Sequence, residues 1–182
     1  EGPHSGYFSG SHEMNRSMFF AGGRVQSRLP ELDGDYSISL WFWNGMPTDS
    51  RGVTGWLWSR GHEHGIGSHG EHLGISGNST VPGKLCVESG DHVAIGKTML
   101  QRWAWNHVVF VRQGDRLLVF LNGNEVPEIE MESSADCVQK LPNLYLGGKS
   151  NSDFNFEGRL DEIGVFDRAL NLKEVRSIFP AK

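Results

Sequence analysis

Apolar and polar residues alternate along most of this chain with a period of two, the pattern of strands that bury one face. From Tyr36 to Trp43 (YSISLWFW), Ile38, Leu40 and Phe42 fall on one face and Ser39, Trp41 and Trp43 on the other. Both faces turn apolar toward the end of this run, which predicts a central strand packed on two sides. Trp105 to Arg112 and Arg116 to Gly123, separated by Gln113-Gly114-Asp115, predict a hairpin. Asn122-Gly123 then supplies residue types that accept positive φ at little cost. Shorter strands are expected at Ser17–Phe20 and Arg24–Ser27 around Gly22-Gly23, and at Thr54–Ser59, His72–Ser76, Gly83–Val87 and Leu144–Gly148. Near the end, Leu160, Ile163 and Val165 alternate as in a strand, and Leu172, Val175 and Ile178 follow at helical spacing, so a final strand leads into a short helix. Trp41, Trp103 and Trp105 lie in strand-like stretches and are expected to fill the core.

Composition supports the strand-rich reading. The 24 glycines and 16 Trp and Phe residues suit many short strands joined by turns, and 182 residues suffice for one sizeable β-sandwich. Residues 1–15 are polar and Gly-rich and read as a linker or N-terminal extension, with the domain over 16–182. A net charge of −5, with Lys and Arg scattered singly, offers no basic stripe for a phosphate backbone and argues against nucleic acid as a partner. No apolar run reaches the roughly 18 residues of a membrane span, so membrane insertion is not expected. Cys86 and Cys137 permit one disulfide or two free buried thiols.

Separated motifs along the chain carry a family resemblance. The chain's FEGRLDEIGVFDRALNLKEVRSIF, from Phe156 to Phe179, closely resembles the closing motif of laminin-G-like, or concanavalin-A-like, jelly-roll domains. The opening hairpin around Gly22-Gly23, the Tyr36–Trp43 strand, the WNHVVFV and FLNG hairpin, and Leu144-Tyr145-Leu146-Gly147-Gly148 are similar to further family motifs in the same order. The resemblance covers about residues 16 to 179. It implies an all-β, two-sheet antiparallel sandwich (jelly roll, concanavalin-A-like) with a short C-terminal helix. His107, in the family's W-x-H-V motif, is expected to be a packed core histidine.

Three groups of residues could carry chemistry. In Gly61 to His72, His62, His64, His69 and His72 place four of the chain's eight histidines within eleven residues, a spacing able to present imidazoles to zinc or copper. The expectation is instead a solvated, glycine-loosened loop, or one in which His62, His64, His69 and Arg60 hydrogen-bond a sugar beside the rings of Trp56 or Trp58. Second, Glu128, Glu130 and Glu132 would project from one face of a strand at intervals of roughly 6.8 Å. Their arrangement is similar to the E-x-D-x-E core of laminarinase-type glycoside hydrolases but has Glu130 in place of Asp, and a solvated acidic edge is the expected outcome. Third, the family resemblance implies a structural calcium at Asp161; a hard cation needs six to eight oxygens, so carbonyls near Gly22 and a polar side chain such as Asn15 would have to contribute. A hydrogen-bonding role for Asp161 is the alternative.

The expected function is a non-catalytic, lectin-like module binding poly- or oligosaccharide, part of a secreted, extracellular or periplasmic multidomain bacterial protein. The alternatives are a protein-interaction or structural laminin-G-like module and, behind it, a glycoside hydrolase or lyase using Glu128, Glu130 and Glu132. No G-x-S-x-G elbow occurs to support a serine nucleophile.

Overall fold

Strand formation follows the alternation closely. In a computed structural model describing residues 2–3, 15–30, 32, 34–61, 70–138 and 141–179, the strands are β1 (Met18–Ala21), β2 (Val25–Arg28), β3 (Asp35–Asn44), β4 (Val53–Gly61), β5 (Glu71–Ser76) and β6 (Leu85–Ser89). They continue as β7 (His92–Ile95), β8 (Trp105–Gln113), β9 (Arg116–Leu121), β10 (Ile129–Glu132), β11 (Asn143–Leu146) and β12 (Glu157–Phe166), and helix α1 (Leu172–Ile178) closes the chain. They form two antiparallel six-stranded sheets: β1-β12-β3-β8-β9-β10, called the first, and β2-β11-β4-β5-β6-β7, the second. The expected all-β sandwich is therefore the fold. β7 and β10 are additions to the sequence expectation; both are four-residue edge strands, too short to show a period.

The core lies between the sheets. Ile38, Leu40 and Phe42 meet Leu57, Leu73 and Val87 there, all fully buried. Trp58 joins them, its ring edge-on to Phe110 with centroids 4.9 Å apart. Between Trp56 and Trp58 the β4–β5 register shifts, a bulge that turns both Leu57 and Trp58 inward and leaves Trp56 facing out. The expected positive φ at the end of the β8–β9 hairpin is present, at 52° for Asn122 and 71° for Gly123. Among the described residues, no helix is long and apolar enough to cross a membrane.

Polar side chains tie the two sheets together at the end where β5 begins. The guanidinium of Arg112 meets the Glu71 carboxylate at 2.5 Å, with both side chains wholly buried. Arg112 also donates to Ser89 Oγ and to the carbonyls of Gly114 and Ser133, while Tyr36 and Ser89 donate to Glu71. At the other end, Glu128 accepts hydrogen bonds from the backbone N–H groups of Lys97 and Thr98 and from Thr98 Oγ1, joining the β10 edge of the first sheet to the β7 edge of the second.

Helix α1 lies on the outer face of the first sheet, where Leu170 and Val175 cover Val109, Val111 and Phe120. Its entry is fixed by a capping box: Asn171 Oδ1 accepts from the N–H groups of Lys173 and Glu174, and the Glu174 carboxylate accepts from Asn171 N–H. Asn171→Ala is expected to lower stability by about 1 kcal/mol in urea unfolding, the usual cost of losing such a cap.

Candidate functional site

Cross-strand register brings one residue from each of five neighbouring strands into a line on the outer face of the second sheet. Gln26, Tyr145, Ser59, His72 and Glu88 stand opposite one another in turn. They face outward because their chain neighbours Leu144, Trp58, Leu73 and Val87 fill the core. With strands about 4.8 Å apart, the row is roughly 19 Å long. Trp56 lies beside it, its indole laid across Gly74, where an added Cβ would come within 2.7 Å of the ring. The Lys149 ammonium caps that ring 4.0 Å from its centroid and pairs with Glu88, and the His72 ring stands 5.7 Å from Trp56.

Several polar atoms on this face are buried and lack a hydrogen-bond partner among the described residues: Trp56 Nε1, Ser59 Oγ and His72 Nδ1. Trp58 Nε1, turned into the core, is a separate case. Buried donors and acceptors are normally satisfied, so these three on one face call for a partner, water or ligand, from outside the protein. Burial, and secondarily the charge of Lys149, keeps the His72 imidazole well below its ordinary pKa of 6.5. It is neutral at pH 7, with one donor and one acceptor nitrogen. Next to Gly74 on the same face, the Cys86 thiol is free, and burial raises its pKa to about 12; Cys86 is thus unpaired and unreactive.

The predicted sugar contacts separate into three groups. Trp56 lies on this face, although buried. Trp58 and Arg60 are corrected: both side chains turn between the sheets instead of onto the outer face. The outward bulge at Trp56 puts Trp58 in the core, and Arg60 lies over the Tyr36 ring, donating to the carbonyls of Leu141 and Leu32. His62, His64 and His69 lie outside the described residues, as does the metal expectation for them.

The three glutamates do not converge. Glu128 is buried in its cradle of N–H and O–H donors, while Glu130 is half-exposed and pairs with Arg116. Glu132 is exposed on the β10 edge. Asn15 and Asp161 do meet, Asn15 Nδ2 donating to Asp161 Oδ2 at 3.1 Å, and Gly2 and Pro3 are buried beside them. Glu162 N–H donates to Asp161 Oδ1, whereas the Gly22 carbonyl, beyond the far end of β1, accepts from Asn155. Asn15, Gly22 and Asp161 thus form no common oxygen cage and do not fit a calcium ion as a set.

Trp103 is also corrected. It is 62% exposed in the loop before β8, in the left-handed region at φ 63°, with the Arg102 guanidinium stacked 4.3 Å from its ring centroid. Trp105 is half-buried on the outer face of the first sheet, and Trp41 is buried beneath Phe179 rather than between the sheets. The sequence carries a sign of this: Gln101-Arg102 ahead of Trp103 break the apolar alternation that starts at Trp105.

The sequence profile of the concanavalin A-like lectin/glucanases superfamily matches residues 20–176. No curated protein matches the chain. Among solved structures, domain 4 of AbnA, a GH43 extracellular arabinanase from Geobacillus stearothermophilus in complex with arabinotriose, is similar at 19% identity and a TM-score of 0.67, over 95% of this chain and 80% of that one. The CBM40 of the Ruminococcus gnavus IT-sialidase, bound to α2,3-sialyllactose, gives 14% identity and a TM-score of 0.64 over 86% of this chain and 98% of that one. A heptameric SAP-like pentraxin from Limulus polyphemus gives 16% and 0.62 over 94% and 79%. At these identities the likeness is one of fold.

Proposed function

Because the chain belongs to the concanavalin A-like lectin/glucanases superfamily, we propose that it is a non-catalytic carbohydrate-binding module of a secreted protein, and that the outer face of the second sheet holds the sugar. The observation carrying this reading is the group of orphaned polar atoms at Trp56, Ser59 and His72 on one sheet face. A sugar presents hydroxyls that both donate and accept around an apolar ring plane. The half-buried, neutral His72 accepts from or donates to one hydroxyl, and Trp56 Nε1 and Ser59 Oγ, wholly buried beneath this face, meet others where the guest displaces the side chains that cover them. The Lys149–Glu88 pair supplies a further donor and acceptor at the open side, where Lys149 and Glu88 side chains are 18% and 31% exposed. Oligosaccharides bound by two of the structural relatives support the ligand class. The dispersed glutamates favour binding over hydrolysis, since a two-carboxylate mechanism needs both groups facing one bond.

A glycan array, followed by calorimetry on the best saccharide, tests the reading. Ser59→Ala and His72→Gln are expected to weaken binding at least tenfold each while leaving the thermal midpoint within a few degrees of wild type. Saccharide binding unaffected by either change, or no retained saccharide at all, would overturn the assignment. Release of reducing sugar by the wild-type protein would overturn its non-catalytic part.

A further inference from the structure

The Lys149 ammonium that caps Trp56 stands where a guest would have to enter. Trp56 is 1% exposed, and three groups lie against its ring: the backbone of Gly74, the tilted His72 imidazole and Lys149. Gly74 and His72 are held in β5, whereas Lys149 carries a partly exposed head on a flexible four-carbon stem, so it is the cover able to leave. It projects from the β11–β12 connection, whose backbone is fixed at both ends. Gly147 N–H donates to the Leu57 carbonyl at 2.9 Å, Trp56 N–H to the Phe154 carbonyl at 3.1 Å and Phe156 N–H to the Gly147 carbonyl at 2.8 Å. Gly148 is packed so closely that an added Cβ would come 2.1 Å from Asn155 Oδ1. Motion therefore falls to the Lys149 side chain and not to the loop. Glu88, beside His72 in the row, holds the ammonium in place.

We propose that the Lys149–Glu88 ion pair is the latch of the sugar site, that binding opens it, and that it restricts the guest to an uncharged saccharide whose ring takes the ammonium's place on Trp56. This latch presupposes the carbohydrate reading of the face and adds the class of sugar. Trp56 Nε1, Ser59 Oγ and His72 Nδ1 have no partner among the described residues while the pair is closed, so the shut state leaves buried polar atoms unsatisfied. What keeps it shut is a partly exposed ion pair and a cation over an indole, two contacts that one binding event can replace. A sugar ring offers an apolar face to the indole and hydroxyls to both freed ends, donating to Glu88 and accepting from Lys149. A charged guest serves one end only. A carboxylate drawn to Lys149 would lie beside Glu88, and an ammonium drawn to Glu88 would lie beside Lys149, with like charges together in each case. His72 adds no charge at pH 7, because burial keeps its imidazole neutral. Arg24 stands over Tyr145, whose strand is two removed from that of His72, and donates to Ser152 Oγ.

Calorimetry on the intact chain, at mildly acidic pH where glucosamine is charged, would compare neutral cello-, xylo- and arabino-oligosaccharides with an oligogalacturonate and a glucosamine oligomer of equal length. A neutral member is expected to bind the wild type best, and to bind more tightly as salt rises, because salt screens the latch and not the sugar. Glu88→Gln keeps an acceptor but frees Lys149; it should tighten neutral binding at least threefold and admit the oligogalacturonate. Lys149→Ala leaves Glu88 alone and should admit the glucosamine oligomer, a change of preference that a merely structural pair would not produce. Hydrogen exchange at the Trp56 indole N–H, assigned with Trp56→Phe, reads the latch without sugar. It should quicken at least threefold in Lys149→Ala, while the Trp58 indole in the core is unchanged. Sugar bound through Ser59 and His72, with preference and exchange unmoved by both variants, would overturn the latch and leave the sugar site standing. A wild type that binds no saccharide would overturn the choice of ligand along with that site, and quickened exchange would then still support the latch. Tighter wild-type binding of either charged oligomer than of any neutral one would overturn the proposal.

Discussion

Glu71→Ala is expected to destabilise the protein by about 3–5 kcal/mol, the cost of leaving a buried charge without its partner. Arg112 is wholly buried between the sheets, and Glu71 is its counter-ion. Burial holds the Glu71 carboxyl above its ordinary pKa, against the pull of the Arg112 charge and of the hydrogen bonds from Arg112 and Ser89. With Glu71 gone, Arg112 retains its carbonyl acceptors but loses this counter-ion, and the Tyr36 hydroxyl loses its buried acceptor. Arg112→Ala should cost a similar amount. The pair Glu71→Leu with Arg112→Met should cost less than either truncation, because apolar side chains of similar size leave no charge stranded. Urea unfolding followed by tryptophan fluorescence measures all of these; a loss below about 1 kcal/mol in Glu71→Ala would show that the pair does not brace the sheets.

Acidification from pH 6.5 to about 4 is expected to remove about 3 kcal/mol of stability through His107 alone. This imidazole is buried beneath Phe179, with Nε2 2.9 Å from Ser39 Oγ, and desolvation lowers its pKa from 6.5 to about 4. Between those values the unfolded chain binds a proton that the folded protein refuses, so falling pH favours unfolding. Above pH 6.5 the imidazole is neutral in both states and contributes no pH dependence; below about 4 both states are protonated and the loss is complete. His72, whose pKa is lowered for the same reason, adds to the loss with the same sign. Unfolding free energies at steps from pH 7.5 to 4 should slope downward in the wild type and much less in His107→Gln. Equal slopes in the two proteins would assign the effect to other groups.

The fold was legible because its information is local. Period-two alternation in β3 and in the β8–β9 hairpin, the turn at Asn122-Gly123 and the helical spacing after Asn171 each state a conformation within ten residues. The binding face is legible only in part, because register places its members side by side. Ser59, His72, Tyr145 and Glu88 come from four separate strands, and no spacing within one segment reveals that they share a line. Trp58 and Arg60 misled for a related reason. Strict alternation would put Trp56 and Trp58 on the same face, and a single bulge separates them. Glu128, read as a member of an acidic run, is explained by the Lys97-Thr98 backbone some thirty residues away.

The lacing of the two ends of the chain has a mechanical consequence. Among the described residues, β1 and β2 are outermost strands of the two sheets, each paired along one side only, and they hold against β12 and β11. A load applied at the beginning of the chain therefore reaches one edge ladder at a time and can peel β1 and then β2 from an otherwise intact sandwich. A load at the other end first meets helix α1 and only then β12, which lies between β1 and β3 and is gripped on both sides. Tethered through its C-terminus, the sandwich would keep its strands until helix α1 had given way; tethered through its N-terminus, it would yield first by shedding β1 and then β2.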